Sequence, residues 1–131
     1  MALKLVLKPG ERAAINGAVI VNGDRRASLI VENKARVLRE GDIMQPEEAT
    51  TPARLIYLPI MMMYLDPSCR EELQDAYEKR LLEFVGAISD QEALNQCAEI
   101  GAHVANQEYY KALCICRKLM EFEEARLAHV A

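Results

Sequence analysis

Aromatic residues are scarce in this sequence, and its N-terminal part has none. Tryptophan is absent, and neither phenylalanine nor tyrosine precedes Tyr57. RRM and OB-type surfaces bind single-stranded RNA by stacking bases on aromatic side chains. The missing aromatics exclude that mode of binding for the N-terminal part. Any RNA contact there has to depend on arginine side chains and backbone hydrogen bonds.

Long apolar runs are also missing. The longest extends over eleven residues, from Leu55 to Leu65, and includes Pro59, whereas a membrane-spanning helix needs about 20 apolar residues. The first residues, MALKLVLKPGE, alternate and then turn, unlike the continuous apolar segment of a signal peptide. The sequence therefore predicts a cytoplasmic protein that does not contact a membrane.

The residue types that build enzymatic and metal sites form no recognisable constellation. GxSxG, P-loop and GxGxxG motifs are absent. The cysteines are Cys69, Cys97, Cys114 and Cys116. They lack the Cys-x-x-Cys and histidine spacing of a zinc site, so we interpret them as buried thiols. The histidines, His103 and His129, have no base partner in the sequence pattern. We expect no enzymatic activity, no cofactor and no metal.

Charge is distributed unevenly along the chain. The net charge is −4, but residues 1–39 contain eight cations and three anions, which gives +5. Residues 40–131 contain eight cations and seventeen anions, which gives −9. A local excess of positive charge is typical of a segment that meets an anionic partner.

The first forty residues have the pattern of a small antiparallel sheet. Leucines alternate with other residues from Leu3 to Leu7, which places three leucines on one face. Pro9-Gly10 predicts a turn, and Asn16-Gly17 is the dipeptide that type I′ hairpin turns prefer. We expect strands near residues 3–7, 12–15, 18–21, 27–31 and 35–38, arranged as an antiparallel meander.

Beyond residue 50 the apolar residues follow a helical period. Residues 68–71 and 89–92 are Ser-x-x-Glu capping boxes, each followed by an apolar stripe, and Asn106 is expected to cap the last helix. The segment after Thr51-Pro52 is apolar on every side and contains Pro59. A kinked or broken helix, or a strand followed by a helix, is therefore expected there.

These patterns predict an α+β fold class. An N-terminal antiparallel β-sheet of about five strands is followed by a C-terminal helical part of three to four helices. Residues 1–45 would form a basic β domain, the candidate for RNA binding. Residues 46–131 would form a helical domain, the candidate for dimerisation or partner binding.

Several segments together resemble the FlbT family of flagellar regulators. They are residues 1–44, QPEEATTPAR, LPIMMMYLD and YYKALCICRKLMEFE. The most specific combination is NGDRRASLIVENKARVLRE with MMMYLD. The resemblance covers essentially the whole chain. It implies a cytoplasmic post-transcriptional regulator that acts on the 5′ untranslated region of flagellin mRNA and on its turnover, which couples flagellin synthesis to flagellum assembly.

The first forty residues are also similar to CsrA, a small all-β RNA-binding translational repressor. The shared motifs are Pro9-Gly10-Glu11, Ile-x-Gly-x-Val at residues 15–19 and Val-Leu-Arg-Glu at residues 37–40. This similarity implies that Arg39 is the principal RNA contact, that Lys4 contributes from the first strand, and that the chain forms a homo-oligomer. The sequence departs from CsrA at Lys8-Pro9, where CsrA has a basic pair, and in its large helical part.

The candidate RNA-binding residues are Lys4, Arg25, Arg26, Lys34, Arg36 and Arg39. We expect them to face a flagellin mRNA leader from one β-surface, because arginine pairs bidentately with phosphate or guanine. A second interpretation stays open, in which the chain is an adaptor or chaperone-like partner of flagellin or of a companion regulator. The acidic helical part, the Met61–Met63 run and the missing aromatics favour that interpretation.

Overall fold

The computed structural model of the chain describes residues 2–130, and the side chains of residues 2–127. The side chain of His129 lies outside the described residues. The strands are β1 (Leu3–Leu7), β2 (Arg12–Ile15), β3 (Ala18–Val21), β4 (Ala27–Val31) and β5 (Val37–Arg39). The helices are α1 (Pro52–Leu65), α2 (Arg70–Ala87), α3 (Gln91–Ala105) and α4 (Tyr109–Val130). The α+β fold class, with antiparallel strands before helices, is confirmed.

The chain divides into two compact units. The described residues up to Ile43 form one unit, called here the β unit, and those from Met44 onward form the other, the helical unit. All five strands lie in the β unit and all four α-helices in the helical unit. The functions assigned to residues 1–45 and 46–131 stay predictions.

The five strands form two sheets. β1 pairs with β4, and Leu3 and Leu7 lie opposite Val31 and Ala27. β2 is the central strand of a three-stranded sheet in the order β3-β2-β5. All pairs are antiparallel, as predicted, but the predicted meander is wrong, because β2 and β3 are the one pair of partners that are consecutive in sequence.

The side chain of Asn22 explains why β1 and β2 do not form a hairpin. Its amide nitrogen donates hydrogen bonds to the carbonyl oxygens of Leu7 (3.1 Å), Lys8 (2.9 Å) and Arg25 (2.8 Å). The backbone nitrogen of Gly10 donates to the oxygen of Gly23 at 2.9 Å. These bonds tie the β1–β2 connection to the β3–β4 connection, so β1 pairs with β4 instead of β2.

The Asn16-Gly17 hairpin turn is confirmed. The φ angles are +52° at Asn16 and +88° at Gly17, and a type I′ turn needs positive φ at both central residues. Ile15 and Ala18 flank this turn as the first pair of the β2–β3 hairpin. The turn therefore fixes which strand is the neighbour of β2 on that side.

Helix α1 is continuous through Pro59. The hydroxyl of Thr51 accepts a hydrogen bond from the backbone nitrogen of Arg54 at 3.4 Å, which confirms the predicted N-cap. The expected alternatives of a broken helix or an initial strand are wrong. Pro59 is buried, and Ile56 and Ile60 on the same side of the helix are fully buried. Tertiary packing of this buried side outweighs the local cost of an internal proline.

Single carboxylates cap the short 3-10 helix Pro67–Cys69, which precedes α2, and the helix α3. Asp66 accepts hydrogen bonds from the backbone nitrogen of Ser68 (3.0 Å) and from its hydroxyl (2.6 Å) before α2. Asp90 accepts from the backbone nitrogen of Ala93 at 3.0 Å and is the N-cap of α3. The predicted Ser-x-x-Glu capping boxes are wrong. Asp66, two residues before Ser68, is the first N-cap, and Asp90, directly after Ser89, is the second.

The turn between α3 and α4 contains a small charged cluster. Asn106 ends α3 and does not cap α4, so that prediction is wrong. The imidazole Nδ1 of His103 lies 3.1 Å from one carboxylate oxygen of Glu108, and the ammonium of Lys111 lies 3.1 Å from the other. The hydrogen bonds from His103 and then Lys111 lower the pKa of Glu108 below its usual value.

The core of the helical unit lies where α4 packs against α1 and α3 and where α1 packs against α2. Its fully buried side chains include Ile56, Ile60, Met63, Ile100, Leu113 and Leu119. Met61 is also buried, whereas Met62 is 40% exposed, so the methionine run belongs mainly to the core. Burial raises the pKa of the Cys97 thiol to about 11 and raises that of Cys116 as well. No helix among the described residues is both long and apolar enough to cross a membrane.

Candidate nucleic-acid interface

The six candidate RNA-binding residues lie at both sheets and at two connections of the β unit. They are Lys4 on β1, Arg25 and Arg26 between β3 and β4, Lys34 and Arg36 between β4 and β5, and Arg39 on β5. Together they are called here the six cations. Five of them are exposed, and Arg36 is half-buried.

The strand register separates the two cations that lie within strands. Lys4 is opposite Ile30 in the two-stranded sheet, and Arg39 is opposite Ala13 in the three-stranded sheet. The remaining four lie in the connections before β4 and β5. No single sheet therefore holds all six cations, contrary to the expectation of one β-surface, because strand pairing was not readable from the alternation pattern.

None of the six cations forms an ion pair within the described residues 2–127. The helical unit differs. Its ion pairs are Arg54–Glu124 (3.4 Å), Arg80–Glu83 (3.2 Å), Lys111–Glu108 (3.1 Å) and Arg126–Asp90 (3.8 Å). Within the described residues, the side chains of these six cations are therefore not neutralised by a carboxylate of the protein.

Backbone amides occupy two carboxylates that could have neutralised these cations. A carboxylate oxygen of Glu11 accepts from the backbone nitrogen of Lys8 at 2.8 Å. A carboxylate oxygen of Glu40 accepts from the backbone nitrogen of Arg12 at 3.3 Å, although Glu40 directly follows Arg39 in the sequence. These acidic side chains thus stabilise turns and strand ends and leave the neighbouring guanidinium groups unpaired.

Arg36 is the most firmly anchored of the six cations. Its backbone oxygen accepts from the nitrogen of Asn16 at 2.8 Å, and its backbone nitrogen donates to the side-chain oxygen of Asn16 at 2.9 Å. Its Nε is buried and has no hydrogen-bond partner among the described residues. A buried donor without an acceptor is costly, so a ligand atom that reached this position would be favoured.

Two further cations of the β unit were missed as candidates. Lys8 and Arg12 are exposed, and neither forms an ion pair within the part of the chain that the structure describes. From the sequence, Lys8 was assigned to a turn and Arg12 to a short strand, so neither was considered as an RNA contact. Their contribution to the +5 charge of residues 1–39 was the signal that could have found them.

The helical unit carries an apolar groove of about 390 Å³ at the ends of α2 and α4. Phe84, Ile88, Phe122 and Leu127 line it, and Leu127 is 55% exposed. Because these lining residues are apolar, the groove is a candidate site for an apolar ligand or peptide.

Within the described residues, no group of three His, Cys, Asp or Glu side chains is arranged to hold a metal ion.

Known proteins resemble the chain over its whole length. The family described as "Flagellar protein FlbT" matches residues 3–127. The "Flagellum biosynthesis repressor protein FlbT" of Caulobacter vibrioides is 54% identical over 131 residues, which cover 100% of this chain and 93% of the relative. A probable repressor of the same name from Caulobacter sp. strain K31 is 54% identical, with both chains fully covered.

The similarity to proteins named FlbT extends to a more distant relative. The "Probable flagellum biosynthesis repressor protein FlbT 1" of Bradyrhizobium diazoefficiens is 37% identical over 125 residues, or 95% of this chain and 84% of the relative. No solved structure matches the chain. The match to the family and the identity to these relatives show that the chain belongs to the FlbT family of flagellar proteins.

Proposed function

We propose that the chain is a post-transcriptional regulator of flagellum biosynthesis and has no enzymatic activity. In this proposal the β unit binds the 5′ untranslated region of flagellin mRNA and changes its stability and translation, so that flagellin synthesis follows flagellum assembly. The names of the relatives, which are flagellum biosynthesis repressors, support the regulatory part. The charge of the β unit supports the RNA-binding part.

One observation carries the proposal. Within the described residues, none of the six cations is paired with a carboxylate of the protein, whereas four cations of the helical unit are. An arginine with no internal partner can donate two parallel hydrogen bonds to a phosphate. Release of counterions from the RNA would then supply much of the binding free energy.

Binding would use phosphates and base edges without stacking. The β unit has no aromatic side chain, since Tyr57 is the first in the chain, and stacking platforms need one. Arg25 and Arg26 are adjacent and exposed, so together they can span consecutive phosphates. Arg36, held by Asn16, would supply a contact of fixed position.

A gel-shift titration on flagellin leader RNA tests this proposal. The Arg25→Ala/Arg26→Ala variant should bind about tenfold more weakly or worse, because each charge-assisted hydrogen bond contributes about 1.5–3 kcal/mol. Lys79→Ala/Lys118→Ala is the matched control. It removes the same charge from two exposed residues of the helical unit that form no ion pair in the described chain. Equal weakening in both variants would reject the β unit as the interface.

A second candidate function is a protein adaptor, and the apolar groove of the helical unit favours it. In that case flagellin or a companion regulator would bind between the ends of α2 and α4. A pull-down with purified flagellin tests it. Leu127→Lys should abolish capture, whereas Leu82→Lys, at a 70% exposed site that does not line the groove, should not. Capture that survives the Leu127 change would reject the groove.

A further inference from the structure

Within the described residues, the outer edge of β3 has no backbone partner. β3 is the last strand of the β3-β2-β5 sheet. The backbone nitrogen of Asn22 bonds to the oxygen of Glu11 at 2.8 Å, and antiparallel pairs alternate between bonded and non-bonded. Val19 and Val21, opposite Ala14 and Arg12, are therefore non-bonded positions. Their N–H and C=O groups point away from β2 and have no backbone partner among the described residues.

The same two residues expose their side chains. Val19 and Val21 are two apart on the strand, so their side chains lie on one face of the sheet. Each side chain is 56% exposed. An incoming strand would find unpaired backbone groups and two β-branched apolar side chains at the same positions, which is what pairing at an edge requires.

β3 also differs from the edge strands β1 and β5 in its lack of a charged residue. Lys4 lies within β1 and Arg39 within β5, whereas β3 is Ala-Val-Ile-Val. Proteins normally guard exposed edges with charges, prolines or bulges, because an unguarded edge recruits another strand. The unguarded edge therefore marks a place where a strand binds.

We infer that β3 pairs antiparallel with β3 of a second copy of this chain. With Ile20 on the two-fold axis, Val19 of each copy lies opposite Val21 of the other. Both residues point their backbone groups outward, so the two copies exchange four backbone hydrogen bonds. The pairing is isologous, as most homodimer interfaces are. It joins the two three-stranded sheets into one sheet of six strands.

The sequence around β3 fits its own copy in this register. Ala18, at the start of β3, would lie opposite Asn22 of the second copy, and β3 carries no charge, so no charge faces a like charge. Asn16 and Gly17 lie outside this register, because they form the turn that connects β3 to β2. Cross-strand valine pairs stabilise a sheet, and like charges directly opposite one another destabilise it. These complementary positions favour a second copy over an unrelated strand.

Substitution of the two valines by charged residues tests whether the β3 edges of two copies pair and whether they pair in this register. Val19→Lys/Val21→Lys would put lysine opposite lysine at both pairs and should convert the dimer to monomer. Val19→Glu/Val21→Lys alters the same two exposed positions and keeps the same lysine opposite Arg12 of its own chain, but it puts glutamate opposite lysine between the copies, so the dimer should be retained. Ser28→Lys, at an exposed site of β4 opposite Val6, is the control for a cation elsewhere on the β unit.

The measurement is the mass of each variant by light scattering during size exclusion, with circular dichroism as a check of folding. The inference predicts twice the chain mass for the natural sequence, the mixed-charge variant and Ser28→Lys, and the single mass for the double lysine variant. A monomeric natural sequence would overturn it and leave the edge for a strand of another protein. A dimer that survives both lysines, or that the mixed pair fails to retain, would overturn it as well. The inference is independent of RNA binding.

Discussion

Asn16 and Arg36 are joined by two hydrogen bonds. The backbone nitrogen of Asn16 donates to the oxygen of Arg36 at 2.8 Å, and the side-chain oxygen of Asn16 accepts from the nitrogen of Arg36 at 2.9 Å. Asn16 also occupies the left-handed region, with φ of +52°. One turn residue therefore closes the β2–β3 hairpin and fixes the backbone of a candidate RNA contact before β5.

Substitution of Asn16 separates its two contributions. Asn16→Asp keeps a side-chain acceptor and tolerance of positive φ, so its free energy of unfolding should change little. Asn16→Gly keeps the φ but loses the acceptor and should be less stable by about 1 kcal/mol. Asn16→Ala loses both and should be lower by a further 1 kcal/mol or so. Urea denaturation measures the series, and equal stability of the Ala and Asp variants would contradict the assigned contacts.

The cap of α3 predicts a contrast between two adjacent residues. Asp90→Ala should lower the free energy of unfolding by about 1 kcal/mol, because its carboxylate accepts from the nitrogen of Ala93. Ser89→Ala should leave it nearly unchanged. Thermal unfolding of both variants, with the natural chain, measures the difference. A larger loss for Ser89→Ala would restore the capping box that the sequence pattern predicted.

The His103–Glu108–Lys111 cluster predicts a dependence of stability on pH. Its hydrogen bonds lower the pKa of Glu108 in the folded chain below the usual 4.5. The folded state therefore binds fewer protons at this group than the unfolded state. The stabilisation is present above the unfolded pKa and is lost as pH falls through the lower folded pKa.

Glu108→Gln should accordingly flatten the melting temperature as a function of pH below about 4.5. Glu99→Gln is the control, because Glu99 is an exposed glutamate of α3 that forms no ion pair within the described residues. The melting temperature of this control should depend on pH as steeply as that of the natural chain. The cluster would be irrelevant to acid stability if both variants followed the natural curve.

Local signals were readable from the sequence, and pairings between distant residues were not. The limits of β1 to β4 and the Asn16-Gly17 turn follow from alternation and turn chemistry, which neighbouring residues determine. The fifth strand was predicted at residues 35–38 and lies at Val37–Arg39. The pairing of β1 with β4 depends on the amide of Asn22, which reaches Leu7 across fifteen positions, and no periodicity records that. The continuity of α1 through Pro59 likewise depends on the helices packed around it.

The same distinction between local signals and pairings of distant residues applies to the candidate RNA-binding site. The positive charge of residues 1–39 could be counted directly from the sequence. The sequence could not tell whether Arg39 would pair with Glu40 or with a carboxylate that folding brings near it. In the folded chain Glu40 accepts instead from the backbone of Arg12. The availability of the guanidinium groups is thus a property of the fold.

The salt dependence of binding to flagellin leader RNA tests the central claim most directly. Fluorescence anisotropy should show at least about tenfold weaker binding at 200 mM salt than at 50 mM, because phosphate contacts release counterions. Arg36→Ala/Arg39→Ala should bind more weakly and should have a shallower slope of log affinity against log salt. A natural chain whose affinity is flat over this range, or a variant with an unchanged slope, would contradict the account.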